Sequence, residues 1–307
     1  MTKTGAPERD PVVIGEVANP PFARLPDPTM HFRLRAQRFA ILSQGHQLEP
    51  YLRFMAGLAE AQHRCQHGLP NPELPAAEHR DRARRFGMPP IDRAKFTADR
   101  AFDTTFDQLL SLATQIEMPS LARQALERVA AMDSGERHGL LSGVLSEFAT
   151  IDHLAEHTYA AAALQVHFAR LAAQLDAGDL TPVADGACPS CGATPVSSMV
   201  VGWRGAHGTR FCACSLCATL WHVVRIKCVL CGSTEGIAYR EIEGGPGAGT
   251  VRAETCDSCG SYVKILLQHV DPDLDPVADD IATLGLDLLV REAGYRRGAM
   301  NAYLLGY

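Results

Sequence analysis

The sequence predicts an α+β fold: an N-terminal all-α helical domain, two tandem metal-binding β units of the zinc-ribbon kind, and a C-terminal helix. Apolar residues recur at helical spacing from about residue 31 to residue 177, and short β-type runs replace them after residue 187. Nine of the ten cysteines fall within residues 188–259. We therefore divide the chain into an extended or disordered N-terminus (1–28), the helical domain (29–180), the first ribbon (181–226), the second ribbon (227–272), and the C-terminal helix and tail (273–307).

The helical domain contains several amphipathic stretches. One predicted helix follows Pro50, which suits a first helical turn, and its apolar positions recur at i, i+3, i+4 and i+7. These positions are Tyr51, Phe54, Met55 and Leu58. Pro119 separates two further predicted helices, whose apolar positions are Leu109, Leu110, Leu112, Ile116, Leu121, Leu126 and Val129. Residues 140–175 predict one long helix or two in series.

Short strands are predicted between the cysteine pairs, at residues 197–203, 219–224, 237–241 and 262–267. The glycine-rich stretch 244–249 separates two β-type runs and predicts a hairpin loop. No Lys followed by Ser or Thr closes this stretch, so it does not fit a phosphate-binding P-loop. The stretch is therefore expected to turn the chain, not to bind a nucleotide.

A single helix is predicted near the C-terminus. Asp275 can cap it, Pro276 suits its first turn, and Gly294 marks its end. Its apolar positions recur at i, i+4, i+7 and i+11, and they are Val277, Ile281, Leu284 and Leu288. A helix with such an apolar face must dock, and we expect it to pack on the helical domain or on the second ribbon.

Eight cysteines form four C-x-x-C pairs: Cys188 with Cys191, Cys214 with Cys217, Cys228 with Cys231, and Cys256 with Cys259. The first two pairs enclose 22 residues and the last two enclose 24, a layout typical of a structural metal site. The first and third pairs lie 40 residues apart and the second and fourth 42, which indicates a tandem repeat. We therefore expect two tetrathiolate sites, each built from two consecutive pairs. Joining the two middle pairs across 10 residues is an alternative, but it breaks the repeat.

Each C-x-x-C pair requires a tight turn that presents both sulfurs to one ion. Gly192, Gly232 and Gly260 directly follow the second cysteine of three pairs, and glycine permits the positive φ that such a turn needs. Trp221 and Tyr262 lie shortly after the second and fourth pairs. We expect each of these aromatic side chains to cover the small core of its own ribbon.

The chemistry of four thiolates suits either Zn²⁺ or iron, and it leaves no obvious open coordination position. A closed site is therefore favoured over a hydrolytic one. Catalytic dithiols of the thioredoxin kind occur once beside a βαβ pattern, and disulfides do not persist in a reducing compartment, so both interpretations are disfavoured. Cys212 is interpreted as a small apolar filler, with a spare ligand or a regulatory thiol as the alternatives.

Two further patterns contain residues that can form functional sites. His153, Glu156 and His157 match H-x-x-E-H, which can mark an inverted zinc peptidase. That chemistry needs a third ligand downstream, and the alanine-rich context supplies none, so a polar helix face is the favoured interpretation. Cys65 has no partner pair and is interpreted as a structural residue.

Composition and charge indicate an ordinary soluble protein, with a formal net charge of −6 and a pI near 6.0. Residues 186–271 contain seven basic and six acidic side chains, so the ribbons lack the positive surface that nucleic-acid binding requires. The N-terminus shows no secretory signal, and no window of 18 uninterrupted apolar residues predicts membrane insertion. We expect a cytoplasmic protein with reduced thiols.

Several of these residues occur together in one known family. The segments 214–217 (C-S-L-C), 221–222 (W-H), 225–228 (R-I-K-C), 256–259 (C-D-S-C) and 262–264 (Y-V-K) form a pattern that resembles the FdhE-type formate dehydrogenase accessory proteins. The run 275–284 (D-P-V-A-D-D-I-A-T-L) is similar to them as well, as are residues 45–46 and 51–54. The resemblance covers most of the chain beyond the first thirty residues.

The resemblance implies a non-catalytic helper in the biogenesis of molybdenum- or tungsten-dependent formate dehydrogenase, which acts in the cytoplasm on the catalytic subunit. It also implies two rubredoxin-like iron sites with one metal each, in which zinc can replace iron. Carried over to this sequence, the ligands are Cys188, Cys191, Cys214 and Cys217 for the first site, and Cys228, Cys231, Cys256 and Cys259 for the second. Cys212 is not part of that pattern. A rubredoxin-like electron-transfer protein and a nucleic-acid-binding zinc ribbon are the alternative functions.

Overall fold

The computed structural model of the chain describes residues 19–146 and 153–304. Residues 1–18 of the predicted N-terminal segment, residues 147–152 of the predicted helical stretch and residues 305–307 of the predicted tail lie outside this description. Within the N-terminal segment, Ala23–Arg24 form the short strand β1, which pairs with a strand of the first ribbon. This part of the chain is therefore extended where it is described.

The described part of the N-terminal domain is helical, as predicted. Its helices are α1 (Pro28–Leu42), α2 (Glu49–Cys65), α3 (Ala77–Arg85), α4 (Arg100–Ala113), α5 (Ser120–Ala131), α6 (Ser134–Leu145) and α7 (Leu154–Ala172). Pro50 lies in the first turn of α2, and Pro119 directly precedes α5, which confirms both predictions. The stretch 140–175 is divided between α6 and α7. Leu121, expected on an apolar face, is instead 71% exposed.

Helix α7 is the central helix of this domain. All of its residues from Tyr159 to Ala172 are buried, and α2, α4, α5 and α6 pack against it. The four consecutive alanines at 160–163 add little side-chain volume, so neighbouring helices can approach α7 closely from several sides. None of the described helices combines the length and the apolar character needed to cross a membrane.

A single mixed sheet follows the helices. Its further strands are β2 (Pro195–Val200), β3 (Arg210–Cys214), β4 (Leu220–Val223), β5 (Ile237–Arg240), β6 (Val251–Cys256), β7 (Ser261–Leu266) and β8 (Arg296–Arg297). The order is β1-β4-β3-β2-β7-β6-β5, and β8 pairs with β7. The loop 244–249 connects the antiparallel strands β5 and β6, which confirms the predicted hairpin.

The two ribbons are joined through this sheet. Strands β2, β3 and β4 of the first ribbon pair antiparallel, and so do β5, β6 and β7 of the second. Strands β2 and β7 pair in parallel, with Ser198 opposite Ile265 and Met199 opposite Leu266. The tandem repeat therefore forms one continuous sheet.

Strand β3 was not predicted from the sequence. Its five residues, R-F-C-A-C, are all buried, so they lack the alternation of apolar and polar residues that marks a half-exposed strand. A central strand that is covered on both faces shows no such alternation. Because other parts of the chain bury both faces of β3, its sequence does not show the alternation that would predict a strand.

The predicted C-terminal helix is present, but it is divided in two. The structure has two short helices, α8 (Ala278–Ala282) and α9 (Leu284–Glu292), which are separated at Thr283. At this break the Nζ of Lys264 donates to the carbonyl oxygens of Asp280 and Thr283, and the oxygen of Thr283 also accepts the N–H of Leu286. A side chain that enters the hydrogen-bond ladder in this way is a common cause of a helix break. Because of this break, Leu288 is 46% exposed instead of lying on the buried face. Asp275 does cap the first turn, since its carboxylate accepts two backbone N–H groups.

The C-terminal helices pack against both the helical domain and the sheet. Helix α8 packs on α1, and α9 packs on β6 and β8. Two ion pairs fasten α1 to this region: Arg35 with Asp275 at 3.2 Å, and Arg38 with Asp279 at 2.7 Å. The expected docking on the helical domain or the second ribbon is confirmed for both.

Candidate metal centres

The structure gathers eight cysteine sulfurs into two groups of four. Within each group, all four Sγ atoms lie within 4.8 Å of one another. These are the two consecutive sets that the repeat predicts, and the two middle pairs do not share a group. Centre 1 consists of Cys188, Cys191, Cys214 and Cys217, and centre 2 consists of Cys228, Cys231, Cys256 and Cys259.

The spacing of the sulfurs fits one tetrahedral ion in each centre. In centre 1, the Sγ atoms of Cys188 and Cys217 are 3.6 Å apart, and those of Cys191 and Cys214 are 3.4 Å apart. The corresponding distances in centre 2 are 3.9 Å and 3.8 Å. Metal–thiolate bonds of about 2.3 Å place tetrahedral sulfurs roughly 3.8 Å from one another. The donor set and its size therefore suit Zn²⁺ or iron equally.

The same arrangement of strands and turns builds both centres. One C-x-x-C turn precedes the first strand of each ribbon, at β2 or β5. The other connects the second strand to the third, between β3 and β4 or between β6 and β7. Antiparallel pairing of the first two strands brings the start of one beside the end of the other, so the two turns meet.

Each turn has a residue with positive φ after its second cysteine. Gly192 (77°), Gly232 (76°) and Gly260 (63°) take this role, as the sequence predicts. Their N–H groups donate to the carbonyl oxygen of the first cysteine of the pair, which closes the turn. In the remaining turn, Ala218 has a φ of 60°, and it is the only non-glycine residue with positive φ in the described part of the chain.

Centre 1 lies between the sheet and the helical domain, and all four of its cysteines are buried. The backbone of residues 89–93 covers the first turn, where the N–H of Ile91 donates to the carbonyl oxygen of Ser190 at 3.0 Å. The second turn is held by α7, where the side-chain amide of Gln165 donates to the carbonyl oxygen of Ser215 at 2.9 Å. Centre 1 is thus part of the interface between the two halves of the protein.

The burial of four thiolate ligands in centre 1 favours a bound cation. Burial raises the pKa of the Cys188 and Cys191 thiols well above its ordinary value, because a thiolate is costly away from water. The thiolate is nevertheless the form that binds metal. The backbone N–H groups of Leu216 and Cys217 donate to the Sγ of Cys214 at 3.4 and 3.3 Å, which stabilises negative charge there. A bound metal ion would compensate the remaining charge.

Centre 2 is open to solvent on one side. Cys231 is exposed and Cys259 is half-buried, whereas the other two cysteines of this centre are buried. Beside it, the hydroxyl groups of Ser233 and Ser258 lie 2.9 Å apart. The two centres therefore share one design but differ in their environment.

The two aromatic residues cover different cores. Trp221 is buried in the large cluster that also contains the cysteines of centre 1 and the helices. Tyr262 is buried in a second cluster, and its hydroxyl donates to a carboxylate oxygen of Asp287 at 2.8 Å. Trp221 thus ties its ribbon to the helical domain, whereas the cluster of Tyr262 contains residues of both ribbons and of α9.

The two cysteines outside the C-x-x-C pairs belong to neither centre. Cys212 is buried on β3 opposite Trp221, and it belongs to neither group. Burial raises its pKa to about 12, which favours the neutral thiol and fits the interpretation as an apolar filler. Cys65 is also buried, its Sγ lies 3.4 Å from the carbonyl oxygen of Thr105, and burial raises its pKa to about 12.

The H-x-x-E-H residues are engaged in other contacts. The Nδ1 of His157 lies 2.6 Å from the carbonyl oxygen of His153, and the carboxylate of Glu156 pairs with Arg128 at 2.5 Å. These residues form no metal-ligating group in the part of the chain that the structure describes. Glu156 and His157 are buried, so this polar helix face points inward.

The residues that attach centre 1 to the helices could not be identified from the sequence. Residues 89–93 form no regular helix until Arg93, and nothing local indicates that they contact a cysteine turn. Gln165 carried a weak signal, because it is a polar residue within a helix that is otherwise strongly apolar. Its partner lies 50 residues away, so the contact itself could not be predicted.

Family models match three consecutive parts of the chain. The model described as FdhE, N-terminal, matches residues 20–185. The FdhE central domain matches residues 187–225, and the FdhE C-terminal domain matches residues 226–304. Together the three models cover nearly the whole described chain.

Relatives and a solved structure agree with these matches. A protein FdhE homolog from Rhizobium meliloti (strain 1021) is 44% identical over 298 residues, which cover 97% of this chain and 97% of the relative. A protein FdhE homolog from Stutzerimonas stutzeri (strain A1501) is 36% identical and covers 94% of this chain and 93% of the relative. The crystal structure of the FdhE protein from Pseudomonas aeruginosa has a TM-score of 0.81 and 30% identity, covering 93% of this chain and 99% of that one. With its helical domain, its two four-cysteine centres and these matches, the chain belongs to the FdhE family.

Proposed function

We propose that this protein is an accessory factor for the biogenesis of formate dehydrogenase, and that it binds the catalytic subunit of that enzyme in the cytoplasm. Membership of the FdhE family supports the connection with formate dehydrogenase. The observation that carries the proposal is the pair of four-cysteine centres built into a chain of this family. A protein of this kind acts by holding its client, not by transforming a substrate.

Each centre is proposed to hold one metal ion, iron in the first instance and zinc as the alternative. The eight cysteines of centres 1 and 2 are the proposed ligands. Four sulfur ligands leave no position for a substrate, so we assign neither centre a catalytic role. When bound, the ion would join two turns that are distant in sequence and stabilise the ribbon around them.

Affinity purification tests the proposed partner. The tagged full-length protein, expressed at its natural level, is expected to retain the catalytic subunit of formate dehydrogenase from the same organism. Deletion of the gene is expected to abolish formate dehydrogenase activity, and re-introduction of the gene should restore it. Normal activity in the deletion strain would refute the proposal.

Electron transfer is a second candidate function, and the exposure of centre 2 favours it. Cys231 is exposed, so one edge of this centre is accessible to a redox partner. Such a role requires iron, because zinc has no redox chemistry. Metal analysis and an absorption spectrum of protein isolated without oxygen from its native cells would decide the question. A colourless protein that contains only zinc would exclude electron transfer and leave the accessory role intact.

A further inference from the structure

A groove with a cavity volume of about 750 Å³ runs along the helical domain. It is bounded by α3, by residues 86–99 and by one face of α7. Two apolar side chains at its edge are exposed, Phe86 to 72% and Met88 to 45%. No residue of α3 is buried, so this helix forms a wall of the groove without packing into the core. Exposed apolar residues beside an unfilled groove are typical of a surface that binds another chain.

The groove has a basic edge in an acidic protein. Helix α3, which forms this edge, contains four arginines and two carboxylates, a local charge of +2, whereas the whole chain carries −6. Arg82 lines the groove and is exposed. Two of the carboxylates on the lining, Asp92 and Asp99, accept the backbone N–H groups of Ala94 and Phe102. These two carboxylates are thus engaged as caps, and Glu73 is the third carboxylate on the lining. The positive charge therefore belongs to the α3 wall, and this wall favours acidic side chains of a partner.

A buried imidazole lines the groove beneath this edge. His167 is 4% exposed and packs against the rings of Phe96, Phe102 and Phe168. Its Nδ1 has no hydrogen-bond partner among the described residues. Burial lowers the pKa of His167 to about 4, so the ring is neutral at physiological pH. A buried polar atom without a hydrogen-bond partner is costly, so this part of the groove is not optimised for the stability of the free protein.

One wall of the groove also covers centre 1. Pro89 lines the groove, and its Cγ lies 3.2 Å from the position that a Cβ would take at Gly192, directly after the first cysteine pair. A few residues further on, the N–H of Arg93 donates to the carbonyl oxygen of Cys191 at 3.0 Å. The first cysteine turn of centre 1 thus packs against residues 89–93, which form this wall. A metal ion bound in centre 1 would stabilise the turn and with it the wall of the groove.

We propose that this groove is the surface that binds the catalytic subunit, and that it takes an amphipathic segment of that subunit with apolar side chains next to carboxylates. This inference rests on the proposed function and names its docking site. The apolar side chains pack against Phe86 and Met88, and the carboxylates lie beside Arg82. Recognition of an amphipathic segment in an apolar groove combines these two kinds of contact.

Binding of the purified catalytic subunit to immobilised full-length protein tests the groove. Phe86→Asp is expected to weaken binding about tenfold or more, because exposed aromatic anchors carry much of the affinity of such surfaces. Arg82→Glu is expected to weaken it most at low ionic strength, because salt screens the attraction between charges. Leu121→Asp, at an equally exposed apolar residue on α5, and Arg291→Glu, at an exposed arginine on α9, are the matched controls and should bind like the wild type.

The outcomes separate this inference from the proposed function. Failure of the wild type to bind the catalytic subunit would overturn both. Binding by the wild type, with both groove variants equally tight, would overturn the groove alone. A change of oligomeric state in Phe86→Asp, measured by size-exclusion chromatography, would instead identify the groove as a contact between copies of this chain and also overturn the inference. Because Phe86 and Arg82 are exposed, circular dichroism and metal content should be those of the wild type.

Discussion

The four C-x-x-C turns depend on the backbone conformation of a single residue after each second cysteine. Glycine occupies three of these positions, and the sequence therefore reveals the requirement there. Ala218 occupies the fourth with a φ of 60°, although the left-handed region costs an ordinary residue roughly 1–2 kcal/mol. The N–H of Cys214 donates to the carbonyl oxygen of Thr219 at 3.0 Å, which helps to hold this turn closed. Only the structure shows that alanine takes the place of glycine here.

The pH dependence of stability also has a cause at the scale of one residue. Burial lowers the pKa of His167 from 6.5 to about 4. Between these two pH values, the unfolded chain binds a proton that the folded protein does not take up. The unfolding free energy therefore carries no penalty from His167 above pH 6.5. It decreases as the pH falls from 6.5 towards 4, because protons then bind preferentially to the unfolded chain.

His167→Phe is expected to flatten this pH dependence, because phenylalanine fits an aromatic cage and does not titrate. The slope of the unfolding free energy should decrease by up to about 1.4 kcal/mol per pH unit. Urea titrations between about pH 5 and 6.5 measure the slope. Protons that compete with metal for the thiolates act on both proteins, so the comparison isolates the imidazole. Equal slopes for variant and wild type would contradict the assignment.

At the scale of elements, a buried ion cluster fixes α8 and α9 to the sheet. The Nζ of Lys264, on β7, lies 3.3 Å from Asp280 and also pairs with Asp287. Arg297 pairs with the same two carboxylates at 2.5 Å each. Two positive and two negative charges thus compensate one another inside the protein. Removal of one partner would leave a buried charge without compensation.

Lys264→Met is expected to lower the unfolding free energy by about 3–5 kcal/mol, because two buried carboxylates lose a cation. The matched control is Arg252→Met, which removes the 2.8 Å pair with Glu241 on the surface, where both side chains are about two-fifths exposed. That change should cost only about 0–1 kcal/mol. Urea denaturation of the metal-loaded proteins measures both values. A loss for Lys264→Met no larger than that of the control would show that the cluster does not stabilise the docked helices.

At the scale of the whole molecule, centre 1 and the helical domain share one hydrophobic core. The cysteines of centre 1 belong to the same buried cluster as Phe54, Phe106 and Phe168, whereas none of the cysteines of centre 2 does. The repeat in the sequence suggests two equivalent units. In the structure, centre 1 is part of the main core, whereas centre 2 lies at the surface.

Substitution of one cysteine in each centre tests this difference. Cys191→Ser is expected to lower amide protection in α4 and α7 together with the first ribbon, by about tenfold or more. Cys231→Ser should lose a metal ion as well, but lower protection only in the second ribbon. Hydrogen exchange followed by mass spectrometry, with metal analysis of both variants, provides the measurement. Equal loss of protection in α7 from both changes would refute the coupling of centre 1 to the helices.

Much of this architecture could be predicted because its signals are local. The glycines after the cysteines, the prolines at 50 and 119 and the loop at 244–249 each act within a few residues. Other features depend on distant partners. Lys264 donates to the carbonyl oxygen of Thr283, 19 residues later, where the helix breaks, and strand β3 lacks alternation because both of its faces are covered. These contacts join residues that are distant in sequence, so a short stretch of sequence does not reveal them.

The sequence by itself determined the order of helical domain and ribbons, and the division of eight cysteines into two sets of four. Tertiary structure alone decided that β2 and β7 join the ribbons into one sheet, that centre 1 is sealed beneath the helices, and that centre 2 reaches the surface. The physical reason is the range of the interactions. A four-residue C-x-x-C turn is sufficient to present two sulfurs to one ion. The burial of centre 1 depends on contacts such as that of Ile91 with Ser190, which are distant in sequence and meet only in the folded chain.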